Sequence, residues 1–185
     1  MRTLIVSEFV TVDGVIEAPG GEPTHPHTNW VSDYMGPDEQ QYKFDEVFEA
    51  ESLLLGRVTY ESFSGAWPTY EGEMADRMNS MPKHVVSSTL QDPVWNATVI
   101  AGDVVAEIER LKASDGGPML VAGSGTLVHT LVDHDLVDEF RLMVFPVSIG
   151  GGLRLFPDSR TRTPLKLIGT KTYPSGIALS TYERA

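Results

Sequence analysis

The chain has 185 residues, 41% hydrophobic and 22% charged, the proportions of one globular domain with a sizeable core rather than of a disordered polypeptide. Its 26 acidic against 14 basic residues give a net charge of −12, a field that repels nucleic-acid backbones and anionic membrane surfaces. The absence of cysteine excludes disulfides, thiolate nucleophiles and cysteine-ligated metals.

The chain enters a strand directly at Met1–Glu8, with no apolar signal core, and no later apolar run approaches a bilayer-spanning length. A cytoplasmic location without a membrane partner is expected. Leu4–Val12 is rich in β-branched and aromatic residues and stops at Asp13-Gly14, which predicts a first strand ending in a turn. Between 17 and 38, a run of prolines and glycines marks a long irregular loop holding His25, His27 and Trp30. Loops of that length inside compact domains are usually functional. Tyr42, Phe44, Val47 and Phe48 recur at helical spacing behind Pro37, predicting a helix over Asp38–Ala50. The buried strand Leu53–Leu55 then runs into Gly56-Arg57-Val58-Thr59 and a helix through Phe63, followed by Trp67-Pro68 and a polar helical segment from Glu71 to Asn79.

Lys83–Ser88 reads as a third strand ending in hydroxyls and Thr98–Ala101 as a fourth, closed by Gly102. Val104–Ala113 is helical, with Val105, Ile108 and Leu111 on one face. The fifth strand begins at Met119 and turns at Gly123-Ser124-Gly125 into a helix opened by Thr126 and Leu127, and Val137–Val144 is the sixth strand. Leu165–Tyr173 and Ile177–Tyr182, joined by Pro174-Ser175-Gly176, form a terminal antiparallel hairpin. Strands alternating with helices predict an α/β fold with a mostly parallel sheet in one domain over 1–185.

Ligands on such sheets bind beyond the carboxyl ends of the strands, where Asp13, Gly56-Arg57, Ser87-Ser88 and Gly123–Gly125 all fall. Gly123 and Gly125 lack a Cβ and let a ligand approach the backbone, and the helix start behind them favours an anion. A tight strand-to-helix turn is the plainer alternative. Arg57 presents a donor fork suited to phosphate oxygens, and serine and threonine hydroxyls donate without bulk. The alternatives are a surface ion pair and ordinary turn residues. Asp13 is placed to protonate or orient a substrate, or to make an Asx turn with Gly14. Glu39 either reaches a substrate or favours the dipole of its helix, and Trp30 is either an aromatic wall or a loop anchor. His25-Pro26-His27 lacks the further ligands of a closed metal site, so no metal is expected. Gly150-Gly151-Gly152 is a bend, a phosphate contact or a subunit contact.

Four segments occur in order: Thr11-Val12-Asp13-Gly14-Val15-Ile16, Leu54-Leu55-Gly56-Arg57-Val58-Thr59-Tyr60-Glu61-Ser62-Phe63, Val85-Val86-Ser87-Ser88, and Val121–Gly125 with Leu136-Val137-Asp138-Glu139. Together they resemble the dihydrofolate reductase superfamily. With Phe145–Gly152 and Leu155-Phe156 they resemble more closely the C-terminal reductase domain of the bifunctional riboflavin-biosynthesis protein RibD and its stand-alone relatives. The resemblance implies a dihydrofolate reductase-like three-layer fold, with a central mostly parallel mixed sheet, flanking helices and a C-terminal antiparallel hairpin. It implies a homodimer and an NADPH-dependent reductase of a small heterocyclic, carbonyl or imine substrate. The best-known family reaction takes the ribosylamino group of a phosphorylated pyrimidine to its ribitylamino form.

By the same resemblance, Gly56, Arg57 and Thr59 meet the pyrophosphate and adenosine side of NADPH, with Val15 and Val58 among the cofactor contacts. Ser87 and Ser88 lie near the 2′-phosphate, and Gly123, Ser124, Gly125, Thr126 and Leu127 against the pyrophosphate. Asp13 is the catalytic candidate, and Trp30 and Glu39 touch the small-molecule substrate. Two departures stand out. The acidic residue that dihydrofolate reductases carry on the helix before the Gly-Arg strand is here Gln40 or Gln41, which argues against folate. The family's Gly-Gly phosphate turn is Gly123-Ser124. Dihydrofolate reduction and a non-catalytic nucleotide-binding protein of the same fold are the alternatives.

Overall fold

In a computed structural model, which describes residues 1–156 and 162–185, the elements follow the expected order with ends displaced by up to three residues. They are β1 (Leu4–Thr11), α1 (Pro37–Glu49), β2 (Ser52–Gly56), α2 (Arg57–Ala66), α3 (Glu73–Ser80), β3 (Lys83–Val86), β4 (Ala97–Ile100), α4 (Val104–Ala113), β5 (Met119–Ala122), α5 (Gly125–Asp133), β6 (Glu139–Phe145), β7 (Leu165–Thr172) and β8 (Ala178–Arg184). A single 3-10 turn, Trp67–Thr69, joins α2 to α3.

The strands form one sheet in the order β4-β3-β2-β5-β1-β6-β8-β7. All pairs from β4 to β6 are parallel, and β8 and β7 add antiparallel strands, so the sheet is mixed and mostly parallel as expected. Parallel strands are covered on both faces, which is why β1 and β2 are near-continuous apolar runs rather than alternating ones. Leu4, Val6 and Val10 of β1 pack against Ile108 and Leu111 of α4 and Leu127, Val128 and Leu131 of α5. On the other face Ile5 meets Val47 of α1, Tyr60 of α2 and Met78 of α3. Beside that second layer, Trp30, Phe145, Tyr173 and Ile177 anchor the long loop onto the antiparallel strands.

The helix after β5 therefore lies on one face, and the helices after its neighbours β1 and β2 lie on the other. Where successive connections leave in opposite directions, a crevice opens beyond the carboxyl ends of the strands. Here there are two crevices, one on each side of the β5 turn. No helix among the described residues is long and apolar enough to cross a membrane.

Away from that edge, at the start of β3, Lys83 is 1% exposed. Its ammonium lies 3.9 Å from the centre of the Trp95 ring and donates to the Asn79 carbonyl at 3.1 Å. Burial, reinforced by the Arg77 charge, brings its pKa from the usual 10.5 to about 8. The folded chain thus sheds this proton before the unfolded chain does, so unfolding free energy should rise between pH 8 and 10.5. Denaturant titrations of the wild type and Lys83→Met at both ends of that window are expected to differ in pH dependence by about 2–3 kcal/mol. Parallel pH profiles for the two proteins would refute the shift.

Candidate functional site

The turn after β5 is organised by Ser124. Gly123 and Ser124 are both left-handed, at φ 59° and φ 60°, a conformation costly for a serine. There are no cis peptides among the described residues, so the Gly123–Ser124 bond is trans. The serine does not cap its own helix. Its Oγ instead accepts the Gly56 N–H at 2.9 Å, and its N–H donates to Thr59 Oγ1 at 2.8 Å. The end of β2, the first turn of α2 and the turn after β5 are thereby one unit.

The contacts refine the expected glycine roles. A Cβ on Gly125 would lie 2.5 Å from Leu153 Cδ2 and 2.8 Å from Ile16 Cδ1, and one on Gly123 would lie 3.2 Å from the Thr59 side chain. The space opened by these glycines is used by protein side chains. What remains for an anion is the pair of helix starts. Neither α2 nor α5 has a side-chain N-cap, whereas Asp103 caps α4 by accepting the Ala106 N–H at 3.1 Å. The first N–H groups of α2 and α5 have no intrahelical acceptor, and both dipoles favour negative charge. Val58 and Thr126 are exposed here. Leu127 and Val15 are buried, so only their backbone is available to a ligand.

On the β2–β3 side, Arg57, Ser87, Ser88, Thr89 and Gly102 line a cleft of about 460 Å³. Arg57 Nη1 donates to both carboxylate oxygens of Glu61, at 2.9 and 2.8 Å. Nε and Nη2 make no hydrogen bond among the described residues and remain able to grip an anion. Ser87 Oγ accepts the Thr89 and Leu90 N–H groups at 3.1 and 2.9 Å, an ordinary turn role that still leaves its hydroxyl proton to donate.

On the β1 side, Asp13 is bound up in the chain. Its carboxylate accepts from the Thr11 hydroxyl at 2.5 Å, the Ser148 hydroxyl at 2.9 Å and the Gly150 N–H at 2.8 Å. Led by the Thr11 bond, these contacts hold its pKa far below the usual carboxylate range despite partial desolvation. Asp13 therefore has no proton to give near neutral pH, and its carboxylate is committed to bonds within the chain. It ties the glycine-rich 148–152 segment over the edge, where Arg154 also donates to the Asp13 carbonyl and bridges to Val15.

The residues expected to meet substrate are placed differently from one another. Trp30 is 5% exposed, donates from Nε1 to the Glu17 carbonyl at 2.9 Å and packs edge-on against Phe145, so it anchors the loop. It also edges a hollow of about 570 Å³ shared with Pro26, His27, Asn29, Ser148 and Ile149. Glu39 accepts from Gly36 N–H at 3.1 Å and Ser175 Oγ at 2.5 Å. Burial alone would raise its pKa, but the Ser175 and backbone bonds outweigh that and lower it. Gln40 and Gln41 are exposed, with Gln41 bonded to Asp45. The acids on the inner face of α1 are Glu39 and Glu46, so the argument from the two glutamines is corrected. Glu46 is 2% exposed and accepts from Ser7 Oγ at 2.8 Å and from Lys43 Nζ, with Arg141 Nη1 at 3.8 Å.

Sequence reasoning missed Glu8. It is 4% exposed on β1, and its Oε1 has no hydrogen-bond partner among the described residues. Burial pushes its pKa well above the usual carboxylate range; the Lys43 ammonium and the Gly123 N–H pull it down less, and Glu46 adds to the rise. The available signal was a carboxylic acid inside Leu4–Val10, a run otherwise patterned for burial on both faces.

Residues 2–179 match the sequence model of the RibD C-terminal domain. Two Bacillus subtilis (strain 168) proteins, the uncharacterized proteins YyaP and YwjB, are 31% and 29% identical over 186 residues, covering 98% and 100% of this chain and 94% and 99% of theirs. A putative riboflavin biosynthesis protein from Shewanella sp. PV-4 superposes with a TM-score of 0.80 at 22% identity, covering 99% of both chains. Dihydrofolate reductase from Enterococcus faecalis, solved with NADP(H), gives 0.67 at 16% identity, covering 98% of this chain and 96% of that one. The dihydrofolate reductase-like fold expected from the four segments is thus the observed one.

Proposed function

The chain belongs to the RibD C-terminal domain family, and on that premise we propose that it is an NADPH-dependent reductase of a small heterocyclic or carbonyl compound. The observation that carries this reading is the pair of uncapped helix starts locked together by Ser124 beside the Arg57–Ser87–Ser88 cleft. The residues fit a dinucleotide in charge and in reach. The starts of α2 and α5 hold the pyrophosphate by backbone N–H groups, and Arg57, Ser87 and Ser88 hold the 2′-phosphate. Local donors outweigh the diffuse charge of −12 because they act within a Debye length. NADPH supplies the hydride when bound. The chain orients the dinucleotide, and the segment held by Asp13 covers the edge and limits water there.

Arg57→Ala is expected to weaken NADPH binding about 10- to 100-fold, the value of one or two charge-assisted hydrogen bonds. A smaller loss for NADH places Arg57 on the 2′-phosphate, and an equal loss places it on the pyrophosphate. Fluorescence titration of the wild type with NADPH decides the reading itself: no binding defeats it.

A further inference from the structure

β1 and β5 pair in register from Leu4↔Met119 to Ser7↔Ala122 and then part, because Gly123 leaves the ladder at φ 59°. Glu8 is the first β1 residue beyond the last pair. Its carboxyl thus stands at the mouth of the crevice between β1 and the β5 turn, unpartnered at Oε1 although the residue is only 4% exposed. A carboxylate in such a place is costly, and a neutral acid is much less so. Lys43 and Glu46 of α1, paired with each other, act on Glu8 through their charges, with the Tyr42 phenol near Glu46. On β6 the register partner of Glu8 is Leu142, which carries no charge, while Arg141 lies opposite Ser7 and is engaged by Glu49 and Glu139. From the β5 turn and the start of α5 comes only backbone, since Gly123–Val128 holds no titratable side chain.

Along the edge the stations are Ser87-Ser88 after β3, Arg57 after β2, Gly123–Gly125 after β5, and Glu8 on β1. Three strand spacings cover about 14 Å, the order of an extended dinucleotide. With phosphates at the first three stations, as the functional reading above has it, the ring end falls on β1. The reduced nicotinamide is neutral and the oxidised one is a cation, and in a crevice of low dielectric a cation strongly favours ionisation of a neighbouring acid. We propose that Glu8 is the proton-holding group at the nicotinamide end of the groove, keeping its proton beside a neutral ring and releasing it beside a cationic one. The O–H bond breaks with its electron pair left on the carboxylate, and in the binding equilibrium the proton passes to water. This rests on the NADPH reading.

The test is the affinity of NADP+ and of NADPH for the wild type and Glu8→Gln, titrated from about pH 5 to about pH 9 to span neutral and ionised carboxyl. In the wild type NADP+ should tighten with pH more steeply than NADPH, by a further slope approaching tenfold per unit, because the 2′-phosphate titrates at about pH 6 in both nucleotides and cancels in the comparison. In Glu8→Gln, which keeps the shape of the neutral acid, the NADP+ slope should fall to that of NADPH. Calorimetry of the wild type in two buffers of different ionisation enthalpy should show more proton release with NADP+ than with NADPH, the 2′-phosphate contribution being common to both, which holds the test open even if the variant does not fold. Binding with equal NADP+ slopes in both proteins, or with no more proton release for NADP+ than for NADPH, overturns the Glu8 assignment alone. Failure of both nucleotides to bind overturns the functional reading and the assignment together.

Discussion

Arg141→Met is expected to lower the unfolding free energy by about 3–5 kcal/mol, the cost of breaking a buried ion network by removing its hub. The Arg141 side chain is 12% exposed and pairs across β6 with Ser7. Its guanidinium donates to Glu49 at 2.6 and 3.0 Å and to Glu139 at 2.6 Å, and its Nη1 faces the buried Glu46 at 3.8 Å. Methionine fills much of the same volume but leaves three carboxylates facing one lysine, Lys43. Arg110→Met is the control. It removes an equally short pair with Glu107 whose side chains are 67% and 36% exposed, where solvent screens the charges, and should cost far less. Equal losses at the two sites in denaturant titrations would mean that the buried network contributes nothing special.

The same variant has a pH signature. The Arg141 bond lowers the Glu49 pKa below its usual 4.5. A carboxylate lowered on folding contributes stability above its unfolded value and loses it as pH falls through the folded one. The gap between wild type and Arg141→Met should therefore narrow as the solution is acidified below pH 4.5. A gap that holds constant or widens there would contradict the pairing.

Ser124→Ala is expected to cost about 1–3 kcal/mol, because the Gly56 N–H loses its acceptor while the left-handed backbone strain stays. Ser124→Gly loses the same acceptor but relieves the strain at φ 60°, so it should be milder by about 1 kcal/mol. Both changes remove one of the two bonds that tie the start of α2 to the β5 turn, leaving the backbone bond from residue 124 to Thr59, and on the NADPH reading both should weaken binding by about tenfold, the cost of re-ordering a site that is otherwise preorganised. A glycine variant less stable than the alanine one would show that the serine carries no strain. Undiminished NADPH affinity in both would show that the two helix starts do not act as one cradle.

Much of this was legible along the chain. The glycine junctions at Gly56 and Gly123 and the apolar runs of β1, β2 and β5 put the right elements in the right order, because burial on both faces writes itself into composition. The four ordered segments pointed to the family that the sequence match shows. Individual roles were less legible. Asp13 and Glu39 carry the residue type suited to proton transfer or substrate contact, yet three hydrogen-bond donors for one and two for the other commit them within the protein. Gln40 and Gln41 occupy the expected helical turn but face solvent, and the buried acid Glu46 lies further along the same helix.

Local sequence determined what depends on neighbours in the chain: strand and helix periods, the turn glycines, the absence of thiol chemistry and the positions of the strand ends. Only the tertiary structure decided which acid is pushed toward its neutral form and which is held as a carboxylate. Protonation follows from desolvation and from donors brought in from distant segments: Lys43 and Gly123 beside Glu8, and Ser148 and Gly150 on Asp13. None of those separations is written in the period of any single element. The physical reason is that charge is priced by the surroundings a residue meets across the sheet, whereas secondary structure is largely set by the few residues on either side.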